Sequence, residues 1–129
     1  MRIVTGDFLK QDADIYVCTS NGVVIVSGSR PRLVMGRGAA RSMQTMFKDC
    51  PERFATEISA HHKPVSRDSH EALYNYGGAA YYCRNGVTLG IFQTKLHWKA
   101  PSKMELIQEA TNWWLEHAKL YPSQQISMN

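Results

Sequence analysis

Two stretches carry residue types that could do chemistry. In the first, Val34-Met35-Gly36-Arg37-Gly38-Ala39-Ala40 leads into the apolar pattern Ala39, Ala40, Met43, Met46, Phe47. Two glycines just before a helix let the backbone approach a bound anion, and the free N–H groups of the first helical turn point at it. Arg30, Arg32, Arg37 and Arg41 flank the turn, with no Asp or Glu between Arg30 and Arg41, so it reads as a phosphate site. A dinucleotide fingerprint would need a third glycine where Arg41 stands, and a P-loop would need Gly-Lys followed by Ser or Thr. Plain turn geometry before a helix is the alternative reading. In the second stretch, Gln93-Thr94-Lys95-Leu96-His97-Trp98 follows the apolar run Val87 to Phe92. Polar groups collected where an apolar strand ends are where an α/β sheet presents its site.

Other chemistries find no support. Cys18, Cys50 and Cys83 are odd in number, widely spaced and without a C-x-x-C pair, which argues against a disulfide framework and a zinc site; Cys18 and Cys83 read as small core hydrophobes. His61, His62, His70, His97 and His117 lack metal-ligand spacing, so no metal is expected. Fifteen basic residues against eleven acidic give a formal charge of +4, which suits an anionic ligand without establishing nucleic-acid binding. No run of about 18 apolar residues occurs, so no membrane span is expected. The opening Met1-Arg2-Ile3-Val4-Thr5-Gly6-Asp7 becomes acidic too early for a signal peptide, making the cytoplasm the expected location.

The elements that must position these stretches can be read in order. Residues 2–5 and Ala13 to Thr19 read as strands, the second buried on both faces, ending at the turn Ser20-Asn21-Gly22. Val23 to Val26 reads as a strand or hairpin arm. Helices are expected from about Ala39 to Lys48 and, restarted by Pro51, to about Ala60. His61 to His70 reads as a mobile polar loop. Leu73 to Tyr76 and Ala79 to Cys83 are strand candidates, and Arg84-Asn85-Gly86 turns the chain into a strand over Val87 to Phe92. Ser102 and Glu105 have capping-box spacing at the start of the longest helix, whose Met104, Ile107, Ala110, Thr111, Trp114, Leu115 and Ala118 should pack on the sheet. Gln125 to Asn129 looks like the start of one more strand. Alternating strands and helices indicate a single α/β domain over 1–129, three-layered with a mixed sheet.

Gly6-Asp7-Phe8, Ala13 to Val17 running into Ser20-Asn21-Gly22, and Met35 to Ala40 have the order and spacing of a macro domain, a family that binds ADP-ribose. Ile91 to Trp98, Pro101-Ser102 and Glu105-Leu106-Ile107 resemble its DarG-like DNA ADP-ribosyl glycohydrolase branch, with similar stand-alone forms in bacteria and phages. The resemblance implies an α/β/α fold with a central mixed sheet. It further implies that Asp7 accepts a hydrogen bond from the adenine amine, that Phe8 lies beside the base, and that Asn21 bonds the distal ribose as part of the catalytic set. Met35, Gly36, Arg37, Gly38 and Ala39 would wrap the diphosphate and ribose, with Thr94 also in the site. Lys95 would attack or stabilise the anomeric carbon, which requires a neutral amine favoured by partial burial and neighbouring cations. Neither cofactor nor metal is implied.

Two departures from the family stand out. Gln93 replaces a commoner proline or valine, a change expected to alter only the loop. The family's second glycine-rich phosphate loop, which can carry an acidic partner, has no counterpart before Asn129, and no Asp or Glu follows Glu116. The expectation is a macro domain short of its C-terminal strand, loop and helix, explained by a truncated chain, a naturally shortened protein or a partner chain that supplies the loop. The function implied is removal of ADP-ribose from nucleic acid or protein. Alternatives are a non-catalytic binder of ADP-ribose or another NAD-derived nucleotide and, more remotely, a basic nucleic-acid-binding module.

Overall fold

A computed structural model of the chain describes residues 2–4, 15–36, 38–83, 86–120 and 125–128. The elements run β1 (Arg2–Val4), β2 (Ile15–Ser20), β3 (Val23–Ile25), β4 (Arg32–Leu33), α1 (Ala39–Met46), α2 (Cys50–His61), β5 (Ser66–Arg67), β6 (Glu71–Leu73), β7 (Gly78–Tyr82), β8 (Thr88–Gln93), α3 (Met104–Leu120) and β9 (Gln125–Met128).

Five strands form a mixed sheet in the order β1-β9-β2-β8-β7. The first four are mutually parallel, and β7 returns antiparallel to β8. Alternation along β2 shows that both faces are covered. Cys18, with Tyr16 beside it, joins the core that includes Met43 of α1 and Phe54 and Ile58 of α2, whereas Ile15 and Val17 join Trp114 of α3. Helices therefore lie on both sides, giving the three layers that the sequence predicts. Burial pushes the Cys18 thiol up to about 12, and burial with neighbouring negative groups does the same for Cys50. Their sulfurs lie 3.9 and 3.4 Å from Met43 and Met35, as expected of packed apolar groups.

The sequence did not anticipate a second sheet. It is antiparallel, in the order β4-β3-β6-β5. The residues expected to be a polar loop after α2 include β5, and the strand expected over Leu73 to Tyr76 is displaced to Glu71–Leu73. Tyr74 and Tyr76 are instead buried in the link between the sheets.

Helix α3 also differs from its expected facing. Leu106, Ala110 and Trp114 are buried, while Met104 and Leu115 are exposed. The helix begins one residue later than the capping box requires, with the Ile107 N–H bonded to the Lys103 carbonyl. Two glycines in the sheet select this rotation. A Cβ on Gly90 would run into the Trp114 ring, and one on Gly78 would lie 2.6 Å from Trp113 Cε3. The tryptophans thus lie against bare backbone, and Trp114 Nε1 donates to the Ile91 carbonyl at 3.1 Å. Gly90→Ala is expected to destabilise the protein by about 1–3 kcal/mol through overpacking, read as a lower urea midpoint. An unchanged midpoint would contradict this packing.

Candidate functional site

A cleft of about 560 Å³ opens where β2 and β8 end side by side. That volume is typical of small-molecule sites. Thr19, Ser20 and Asn21 line it from β2 and the residue after, Thr94, Lys95, Trp98 and Lys99 from the segment following β8, and Val34, Gly36 and Ala40 from the approach to α1. Parallel strands direct their following loops to the same end of a sheet, which is why residues more than 70 positions apart meet here: the Thr94 N–H donates to the Ser20 carbonyl at 3.0 Å.

One wall is the start of α1. Gly38 occupies its N-cap with φ +65°, a conformation that suits glycine. Among the described residues no side chain caps the helix and its first turn has no acidic residue, the arrangement in which first-turn N–H groups can meet an anion. Ala40, in that turn, lines the cleft. Lys95, half-buried, and Lys99 contribute positive charge, and no Asp or Glu stands among the described lining residues. A concave surface of this sign favours an anionic ligand.

The Asn21 side of the cleft is held by hydrogen bonds. Asn21 is buried; its side-chain oxygen accepts from the Val23 N–H at 2.8 Å and its amide nitrogen donates to the Val34 carbonyl at 3.0 Å. Among the described residues, no further partner takes the second amide hydrogen or the second oxygen lone pair. The Asn21 carbonyl accepts from the Tyr76 hydroxyl at 2.8 Å, and burial holds that phenol well above its ordinary range, so it remains a donor. At the rim, the His97 ring stacks on Trp98, His97 Nε2 lies 3.5 Å from Glu71 of β6, and Lys99 Nζ sits 4.9 Å from the Trp98 ring centroid.

Asn21, Gly36, Thr94 and Lys95 are thus brought together, and Gly38 and Ala39 open the adjoining helix. Met35 is not among the cleft residues: it is buried against Cys50. Asp7, Phe8 and Arg37 lie outside the described residues. Of the flanking arginines, Arg41 lines a smaller depression beside Gly36, while Arg32 donates to the carbonyls of Ser27 and Arg30 within its own hairpin. Lys99 and Gln93 were missed as site and support residues. Lys99 lies in a non-helical segment, where its spacing from Lys95 gives no signal. The burial of Gln93 had none.

No family model matches the chain, and no curated protein does. Among solved structures it is similar to the macrodomain of Thermus aquaticus DarG, with a TM-score of 0.65 and 22% identity, covering 98% of this chain and 74% of that one. It is also similar to Thermosipho africanus DarTG in complex with ADP-ribose, with a TM-score of 0.67 and 17% identity, covering 98% of this chain and 32% of the other. The mixed sheet between helical layers is accordingly a macro-domain fold.

Proposed function

We propose that this macro-domain fold binds ADP-ribose in the cleft between β2, β8 and α1, and that it acts as an ADP-ribosyl glycohydrolase on modified nucleic acid or protein. The observation that carries the reading is the convergence of Asn21, Lys95 and the uncapped start of α1 on one cationic cleft. Helix N–H groups match a diphosphate, the remaining Asn21 donor and acceptor match ribose hydroxyls, and Lys95 supplies an amine for the anomeric carbon. Solved relatives of the same fold include one in complex with ADP-ribose. Asp7 and Phe8 would contact the adenine, Arg37 the diphosphate, and a partner chain could add a second phosphate loop.

A second reading, a non-catalytic binder, is favoured by the lack of Asp or Glu among the described lining residues, since glycoside hydrolysis commonly uses an acid. Both readings predict saturable binding of ADP-ribose in calorimetric titration, with AMP binding at least about tenfold more weakly for want of the second phosphate and distal ribose. Equal affinity for the two, or no heat from a folded sample, would remove both.

A further inference from the structure

The side chain of Gln93 is fully buried at the end of β8. Its oxygen accepts from the Tyr76 and Gly77 N–H groups at 2.8 and 3.2 Å, and its nitrogen donates to the Tyr74 and Lys95 carbonyls at 2.8 and 3.3 Å. Two acceptor sites and two donors are all that a carboxamide has, and all four are used. Proline or valine at this position could make none of these bonds.

The partners are the supports of the cleft. Tyr74 donates from its N–H to the Gly22 carbonyl, Tyr76 from its hydroxyl to the Asn21 carbonyl, and the Gly22 N–H returns to the Leu96 carbonyl at 2.8 Å. One carboxamide therefore joins the wall carrying Asn21 to the segment carrying Lys95. The bond to the Lys95 carbonyl, two residues along, fixes where the chain turns out of the sheet and hence where the lysine stem begins.

We propose that Gln93 is a positioning residue that sets Lys95 relative to the sugar held by Asn21; this rests on the reading of the cleft as an ADP-ribose site. Misplacement by about 1 Å can lower a rate by as much as 100-fold without a matching loss of binding. Gln93→Glu retains an oxygen for Tyr76 and Gly77 but offers the Tyr74 and Lys95 carbonyls one O–H donor when neutral and none when ionised. Gln93→Met removes both halves, and Ile58→Ala, buried in α2 away from the cleft, is the control for lost stability.

The experiment measures amide hydrogen exchange at Gly22, Thr94 and Lys103, whose N–H groups bond to Leu96, Ser20 and Thr94. Alongside it, ADP-ribose affinity and single-turnover release from an ADP-ribosylated oligonucleotide and an ADP-ribosylated protein are measured at temperatures where each variant is folded. Gln93→Glu is expected to exchange faster at these amides than Ile58→Ala and to release ADP-ribose about 10- to 100-fold more slowly, with affinity changed less than about threefold. Exchange no faster than in the control, or unchanged release from a wild-type-active substrate, overturns the proposal. If wild type releases nothing from either substrate the catalytic reading fails, and exchange alone decides whether Gln93 holds the Lys95 segment. Gln93→Met is expected to show the same faster exchange and slower release, and should either variant not fold, the other carries the test.

Discussion

Gly22→Ala is expected to cost more than about 3 kcal/mol, enough to leave much of the protein unfolded if its total stability is ordinary. A Cβ at this position would collide with the Tyr74 carbonyl oxygen, with Gln93 Nε2 at 2.8 Å and the Leu96 carbonyl oxygen at 3.1 Å close behind. Two of these three atoms are backbone, and the same segments are tied to Gly22 by its own hydrogen bonds, Tyr74 N–H to Gly22 carbonyl and Gly22 N–H to Leu96 carbonyl. Relief of the clash would therefore break those bonds and leave buried polar groups unpaired, at about 1–3 kcal/mol each. The requirement is for space, because the Gly22 φ is not positive. Gly36→Ala is the informative comparison: among the described residues nothing lies within 4 Å of a Cβ placed there, and its stability should change by no more than about 0.5 kcal/mol. Urea unfolding of the two variants decides the matter, and a wild-type midpoint for Gly22→Ala would refute the close approach.

The second large effect is on chemistry. On the proposed catalytic reading, Lys95→Ala lowers single-turnover release of ADP-ribose by about 10²–10⁴-fold, the usual scale for a lost catalytic side chain. The cleft offers two amines, and their surroundings separate them. Lys99 is exposed and its Nζ is engaged over the face of the Trp98 ring at the rim. Lys95 is half-buried just beyond the end of β8, and its backbone carbonyl is held by the Gln93 amide. Lys95→Arg separates charge from nucleophilicity, because guanidinium keeps the positive charge and does not deprotonate. It should retain ADP-ribose binding within a few-fold while losing release as fully as alanine does. Release that survives Lys95→Arg would make Lys95 an electrostatic contact, and release that survives both substitutions would assign the chemistry elsewhere.

The parts of this architecture that were legible in the sequence are those in which neighbouring residues report one environment. The run Ile15 to Ser20 is β-rich and buried because both its faces are covered, and Pro51 marks the start of α2 because a missing N–H costs nothing in a first helical turn. The glycine turn before α1 was legible for the same local reason. What could not be read depends on partners distant in sequence. The rotation of α3 is chosen by Gly78 and Gly90, which accept tryptophan rings and leave Met104 and Leu115 outside. Strands of two or three residues, such as β5 and β6, show too little alternation to declare themselves. Gln93 was expected to alter a loop and instead fastens one, since a buried carboxamide and a surface one are identical letters until their four partners are known.

The order of strands also constrains how the molecule is made. Strand β9 lies between β1 and β2, so the N-terminal strand reaches the sheet only through a strand near the other end of the sequence. A nascent chain can pair β2 with β8 and lay α3 across them while residues 2–4 still have no neighbour. At translation rates of about 5–20 residues per second, β9 leaves the ribosome several seconds after β1. Strand β9 is therefore the joint of this sheet, pairing β1 on one side and β2 on the other, and the β2–β8 pair has an open edge along β2 until β9 is in place.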